Sequence, residues 1–300
     1  MGSWPDHTLK ALHHPSLKNR AVIITGGGRG FGWLIAEELL RAGAKVTLTA
    51  SRHPEELAAV KAKAEQIGGP GCCLIVRADV SQWEDCLATV DATLQAFGNF
   101  DVLINNAGRG SAEFRTEQPP DRKLFFGAKF YDITPAAFRT VIETNLIGVF
   151  YMTKAVMQQH FLKRGFGKIC SMSTSLNTMS APGLSPYGAS KAGLEMMHRV
   201  WAQELKGSGI DLNVLLPGGA ADTEFNNSAV IPGKVGERAK EGSSLLPGDV
   251  IVPPAVWLST DATNGMTGQR IIAKFWDKDA SPAEAMKACV QPHNDVPGIM

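Results

Sequence analysis

The sequence predicts an α/β fold: a doubly wound three-layer αβα sandwich around a mainly parallel seven-stranded sheet. Three observations predict it. Up to Gly108, short apolar runs alternate strictly with amphipathic stretches, the order expected when every strand is followed by a helix that crosses the sheet. A glycine-rich turn, Gly26 to Gly32, stands between the first apolar run and the first long amphipathic stretch. No segment repeats at a fixed period, which sets aside solenoids and propellers.

Composition narrows the function classes. The 300 residues suit one large domain with ample core. A net charge of +1 gives no polyanion-binding surface, so nucleic acid is not an expected partner. The five cysteines are odd in number and scattered, without Cys-x-x-Cys or Cys/His ligand spacing. They read as reduced thiols of a cytoplasmic protein with no metal. His13 and His14 lie in a polar arm. The N-terminus lacks the apolar run of a signal peptide, and no stretch approaches the ~20 apolar residues of a membrane span.

Residues 1–17 read as an N-terminal arm, polar and holding Pro5 and Pro15. Residues 18–277 read as a single domain. Ala21 to Thr25 is a buried strand, and the helix after the glycine turn runs from about Phe31 to Ala42. Strand, glycine turn and helix together make a phosphate-binding unit: the glycines let the backbone approach a pyrophosphate, and the helix N-terminus offers free N–H groups. This is the Rossmann-type arrangement. Lys45 to Ala50 is a second strand, Pro54 to Ile67 a second helix and Cys72 to Arg77 a third strand, closed by Ala78-Asp79-Val80. Ser81 is placed to cap the next helix, which runs to Phe97. Asp101 to Asn105 is a fourth strand.

Residues 109–132 break the rhythm with charges, Pro119-Pro120 and the aromatics Phe114, Phe125, Phe126, Phe130 and Tyr131. Such an insertion is expected to form a lid or a subunit contact. Thr134-Pro135 opens a long helix to about Leu162. Lys168 to Met172 is the fifth strand, followed by Ser173-Thr174-Ser175. Ser185 to Gly207 is a helix, and Ile210 to Leu216 the sixth strand. Residues 218–252 form a substrate loop or lid. A short helix begins at Val252, Arg270 to Phe275 is the last strand, and residues 278–300 form a peripheral tail.

Chemistry concentrates on the Ser185 helix. Tyr187 and Lys191 are four residues apart, so their side chains share one face. A fixed ammonium beside a phenol favours the phenolate and is expected to draw its pKa down towards neutrality, which makes a proton donor and acceptor for carbonyl–alcohol chemistry. The second strand ends Thr49-Ala50-Ser51-Arg52 with no acid to accept the hydroxyls of a ribose. Arg29 in the glycine turn and Arg52 past the strand, with Ser51, suit a 2′-phosphate instead. NADP(H) is therefore expected in preference to NAD(H).

Taken together, these motifs resemble the short-chain dehydrogenase/reductase family in its single-domain form, over about Leu17 to Asp277. Thr25-Gly-Gly-Gly-Arg-Gly-Phe-Gly32 fits the family's Thr-Gly-x-x-x-Gly-x-Gly turn, and Asp79-Val80 its adenine-contacting pair. Asn105-Asn-Ala-Gly108 fits the motif that ends strand four, and Asn145 in Glu-Thr-Asn-Leu-Ile-Gly the catalytic asparagine. Tyr187-Gly-Ala-Ser-Lys191 fits the active-site motif, and Pro217-Gly218 the turn past strand six.

The resemblance implies Tyr187 as general acid/base. Lys191 would lower its pKa and hold the nicotinamide ribose, and Asn145 would anchor a water linking Lys191 to solvent. For the cofactor it implies Gly26, Gly28, Arg29, Gly30, Phe31 and Gly32 in the turn, with Ser51 and Arg52 at the second strand. It adds Asp79 and Val80, then Asn106, Ala107 and Gly108, then Tyr187, Lys191, Pro217, Gly218 and Thr223. The chain departs from the family at three points. The substrate-binding serine, usually thirteen positions before the tyrosine, is replaced by Thr174, with Ser173 or Ser175 presented instead if the strand bulges. The stretch from Asn105 to Asn145 is longer than usual by roughly fifteen residues. The last strand lacks the usual paired glycines.

The implied activity is an NADP(H)-dependent oxidoreductase that interconverts a secondary alcohol and a ketone or aldehyde. The partner is a small apolar or aromatic alcohol or ketone, since Met172, Met179 and Met196 lie near the site, and the assembly a homodimer or homotetramer. The alternatives are a dinucleotide-binding regulatory or sensor protein on the same fold, and an epimerase or dehydratase.

Overall fold

The computed structural model describes residues 4–51, 54–114, 127–223 and 245–291. Its strands are β1 (Ala21–Ile24), β2 (Lys45–Ala50), β3 (Cys73–Arg77), β4 (Val102–Asn105), β5 (Gly167–Met172), β6 (Ile210–Leu216) and β7 (Arg270–Ile272). All pair in parallel, in the order β3-β2-β1-β4-β5-β6-β7. The winding reverses between β1 and β4, and a crevice opens there beyond the carboxyl ends of the strands. Ile24 pairs with Leu48 on one side and with Ile104 on the other, so the turns that follow β1, β2 and β4 emerge at one level.

Strands β1, β4, β5 and β6 are buried along their whole length, because helices cover both faces of the sheet. On one face pack α1 (Asp6–Ala11), α2 (Gly30–Arg41) and α3 (Pro54–Gly68). On the other lies α4 (Trp83–Phe97), against a helical run over residues 135–164 made of α5 (Pro135–Ile142), α6 (Gly148–Val156) and α7 (Leu162–Arg164). The helices α8 (Leu176–Met179) and α9 (Ser185–Glu204) follow β5. The first face is completed by α10 (Val252–Leu258) and α11 (Pro282–Cys289). No helix among the described residues is long and apolar enough to cross a membrane.

Several expectations need correction. The long helix is present, capped by the Thr134 hydroxyl on the Ala137 N–H at 3.2 Å, but π turns at Glu143–Ile147 and Met157–Phe161 interrupt it. The last strand stops at Ile272, since Lys274 N–H bonds to Pro217 O at 3.1 Å and draws Ala273–Phe275 into a 3-10 turn. Ser81 does not cap α4; its hydroxyl donates to Asp79 Oδ1 at 2.7 Å. Of the expected peripheral tail, the described residues 278–291 are not peripheral. Ser281 and Glu284 form a capping box, and α11 buries Ala285, Met286 and Cys289 in the same core as Leu12 and Leu17 of the N-terminal segment. Of the aromatic insertion, Phe114 is fully buried while Phe130 is 75% and Tyr131 57% exposed. Phe125 and Phe126, half of that insertion (residues 115–126) and residues 224–244 of the expected lid lie outside the described residues, as does Arg52.

Candidate active site

The glycine turn forms because its backbone needs no side chains there. Gly26 has φ +64°, and a Cβ at Gly32 would stand 2.5 Å from Gly26 O. Asn106 binds the turn to the neighbouring strand, its Nδ2 donating to Thr25 O at 2.9 Å and Gly26 O at 3.0 Å. The Thr25 hydroxyl in turn accepts the N–H groups of Asn106 and Ala107, both at 3.0 Å. The turn is thus a rigid cradle with helix α2 opening directly behind it.

A cleft of about 500 Å³ runs from this cradle along the ends of β1, β4, β5 and β6. Gly26, Gly28, Arg29, Gly30 and Phe31 line it at one end, with Ser51 past β2 and Asp79 and Val80 past β3. Asn106, Ala107 and Gly108 line its middle, and Tyr187, Lys191, Pro217 and Thr223 its far end. Two of the expected residues stand behind the wall. Gly32 supports the turn, and Gly218, with φ +93°, packs against Lys274 and Ile272.

At the far end Thr174 and Tyr187 line the cleft together, with the Thr174 side chain placed to favour the Tyr187 phenolate. Ser173 also lines the cleft and Ser175 does not, but the hydroxyls of both have other partners. The Ser173 hydroxyl donates to the Glu195 carboxylate. Ser175 caps α8, its hydroxyl accepting the Thr178 N–H at 3.2 Å. The triplet is therefore three residues with three separate jobs, and only the middle one meets the phenol.

Lys191 is buried, its Nζ donating to Met172 O at 2.7 Å and lying 6.0 Å from the centroid of the Tyr187 ring. Burial pulls the Lys191 ammonium down to about 8 against the opposing pull of Glu195. Tyr187 as a residue is partly exposed, but its hydroxyl sits deep in the protein. Burial pushes that phenol up to about 12, with the Thr174 side chain pulling the other way. The expected fall of the Tyr187 pKa towards neutrality is thus not realised in this geometry: Lys191 is turned to a backbone carbonyl, and desolvation of the phenolate dominates.

Asn145 lies in the first π turn and is fully buried. Its Oδ1 accepts the Arg109 N–H at 2.7 Å, and its Nδ2 donates to Arg109 O at 2.9 Å and to Ser190 Oγ at 3.1 Å. It ties the segment after β4 to helix α9 behind the cleft, while the preceding Thr144 faces the cleft. Such irregular turns recur at functional sites.

Sequence reasoning missed Thr49, Arg109 and the Glu195–Arg270 pair. The Thr49 hydroxyl accepts the Gly26 N–H at 3.3 Å and its carbonyl accepts Gly27 N–H at 3.0 Å, so the last turns of β2 steady the cradle. A hydroxyl two residues before the expected Ser51 was the available signal. Arg109 lines the cleft and pairs with Glu113 at 3.3 Å, a spacing of four residues that could have been read. Met172 faces the cleft; Met179 and Met196 do not.

Comparison with known proteins places this geometry among relatives. Residues 20–231 match the family described as short chain dehydrogenase. A peroxisomal 2,4-dienoyl-CoA reductase [(3E)-enoyl-CoA-producing] of Danio rerio is 35% identical over 69% of this chain and 63% of its own length. An 11-beta-hydroxysteroid dehydrogenase A of Sesamum indicum is 33% identical over 70% of this chain and 55% of its own. The chain thus spans little more than half the length of these two relatives. Among solved structures, a 3-ketoacyl-(acyl-carrier-protein) reductase from Brucella melitensis complexed with NADH superposes with a TM-score of 0.70, at 27% identity, over 85% of this chain and 96% of that one.

Proposed function

The chain belongs to the short-chain dehydrogenase family and is an oxidoreductase with an NAD(P)-binding fold, and on that premise we propose that it interconverts a secondary alcohol and a ketone or aldehyde, with NADP(H) preferred over NAD(H). The observation that carries the reading is the Tyr187 phenol, beside Thr174 and with the Lys191 Nζ 6.0 Å from its ring centroid, at the far end of one cleft from a glycine cradle. The cradle fits a dinucleotide: its backbone is exposed to the cleft, and its glycines leave room where a Cβ would collide. NADP(H), when bound, supplies or accepts the hydride.

The chain's own residues handle the rest. The Thr174 hydroxyl donates a hydrogen bond to the substrate oxygen as negative charge develops there. Tyr187 gives its phenolic proton to that oxygen in reduction and takes it back in oxidation. The Lys191 ammonium holds the nicotinamide ribose and, once drawn towards Tyr187, offsets the charge of the phenolate. Asn145 keeps α9 and the segment after β4 in fixed relation.

NADP(H) is favoured because β2 ends in Ala50 and Ser51 rather than an acid, with Arg29 exposed at the rim of the same end of the cleft. The NADH in the Brucella melitensis reductase makes the choice a matter for measurement. Ala181, Leu184 and Met172 near the phenol favour an apolar or aromatic substrate. Exposed Phe138, Phe150 and Val200 on α5, α6 and α9 favour a homodimer or homotetramer. Five free, buried thiols fit a reducing compartment such as the cytoplasm. The test is the consumption of NADPH and of NADH against a broad panel of ketones and aldehydes. Turnover with NADPH in preference to NADH supports the reading. Tight binding of NADPH with no turnover of any carbonyl would favour a sensor on the same fold.

A further inference from the structure

Behind the loop that carries Thr174, the carboxylate of Glu195 meets the guanidinium of Arg270. Glu195 lies on α9 one helical turn beyond Lys191, and Arg270 opens β7. Arg270 Nε donates to both carboxylate oxygens, at 3.1 Å and 2.9 Å. Its Nη2 donates to Thr174 O at 2.9 Å and its Nη1 to the side-chain oxygen of Gln291. The Ser173 hydroxyl donates to the same carboxylate. Both charged side chains are only 18% exposed, and neither lines the cleft.

The position of this pair matters because of where the sheet ends. Strand β5 pairs with β6 as far as Met172, and one further bond runs from Ser173 N–H to Leu215 O at 2.8 Å. No strand partner follows to fix Thr174. The Arg270 guanidinium supplies the missing donor on the Thr174 carbonyl. A closed ring results, from Ser173 to Glu195 to Arg270 to Thr174, and its bonds are charge-assisted, hence short and directional. A lysine offers a point charge rather than a planar fork, so it could not serve the carboxylate and the carbonyl with the same geometry.

We infer that Glu195 and Arg270 are positioning residues, which fix the Thr174 backbone so that its hydroxyl meets the Tyr187 phenol. The inference rests on the roles proposed above for Thr174 and Tyr187. Displacing a reacting group by about 1 Å can cost on the order of 100-fold in rate, so a loosened Thr174 acts on turnover rather than on cofactor affinity.

The test uses the full chain in the variants Arg270→Met, Arg270→Lys and Glu195→Gln, beside Tyr187→Phe, with NADPH and one accepted ketone. Arg270→Met and Glu195→Gln are expected to lower kcat by about tenfold or more while the KM for NADPH stays within about twofold, with Arg270→Lys between them and wild type. Crystal structures of Arg270→Met and Glu195→Gln are expected to show the Thr174 hydroxyl displaced from its wild-type place beside Tyr187 by about 1 Å or more. Wild-type kcat with Thr174 unmoved beside Tyr187 in both variants would overturn the inference; if Tyr187→Phe is then inactive, the roles of the site survive. An active Tyr187→Phe would overturn those roles, and the crystal structures alone would then decide whether the pair positions Thr174. Glu195→Gln is isosteric and carries both measurements should Arg270→Met fail to fold.

Discussion

Thr174 and Tyr187 line the same end of the cleft, the Thr174 side chain favouring the ionised Tyr187 phenol, one residue standing just past the end of β5 and the other in the first turn of α9. Their meeting brings the proposed substrate donor and the proposed proton carrier to the same point of the cleft.

Removing the phenolic hydroxyl takes away only the proton carrier, because the Tyr187 ring still packs beside Leu184 and Ala181. Tyr187→Phe is expected to fold and to bind NADPH as wild type does, yet to lose about 100-fold or more in kcat. Melting temperature, NADPH fluorescence titration and steady-state turnover check the three parts. Activity within a few-fold of wild type would rule out Tyr187 as the acid/base.

The three neighbouring hydroxyls should separate by function. Thr174→Ala loses a donor aimed at developing charge, worth ~2.7–4 kcal/mol, so kcat should fall by ~100-fold or more, and Thr174→Ser should retain most activity. Ser175→Ala loses a helix cap and is expected to cost roughly 1 kcal/mol of stability with turnover little changed. Ser173→Ala breaks one bond of the ring with Glu195 and should have an intermediate effect on kcat. A large loss confined to Ser175→Ala would mean that Thr174 is not the substrate's partner.

Arg29 lines the cleft beside the glycine cradle and is exposed to solvent. A charge-assisted bond to a phosphate contributes roughly 1.5–3 kcal/mol, so Arg29→Ala should weaken NADPH about tenfold or more relative to NADH. Dissociation constants for both cofactors check it. Equal weakening of the two would show that Arg29 does not meet the 2′-phosphate.

His198 is buried on α9, its Nδ1 bonded to Leu194 O at 3.0 Å and its Nε2 without a partner among the described residues. Burial, then the nearby Lys191 charge, bring its pKa down to about 4 from an ordinary 6.5. The folded imidazole therefore refuses a proton that the unfolded chain accepts between those values. Stability from this residue is complete above pH ~6.5 and is lost progressively as the pH falls towards ~4. Near pH 5 the loss is about 2 kcal/mol. His198→Gln should abolish this share of the acid sensitivity. Melting temperatures at about pH 7.5 and pH 5 are compared, and an equal drop in wild type and variant would contradict the assignment.

Local pattern made the fold legible. Ala21–Ile24 is apolar along its whole length and Val102–Asn105 up to its last residue, which only strands covered on both faces tolerate. Gly26 and Gly32 follow the first of them at once, because backbone with no side chain is what the turn requires. Tyr187 and Lys191 sit on one helix, so their shared face follows from spacing alone. What spacing could not give is orientation. Lys191 Nζ turns to Met172 O, and the Tyr187 phenol is desolvated, so its pKa rises instead of falling.

The sequence by itself determined the order of strands and helices and set Tyr187 and Lys191, the proposed catalytic pair, on one helix, since those depend on neighbours along the chain. Only the tertiary structure decided how Ser173, Thr174 and Ser175 divide their hydroxyls. That choice depends on Glu195 and Arg270, which lie 22 residues beyond Ser173 and 96 beyond Thr174 and leave no local pattern. The burial of Met286 and Cys289 is likewise a long-range outcome, because a short amphipathic helix finds its place only once the face left open by α10 exists.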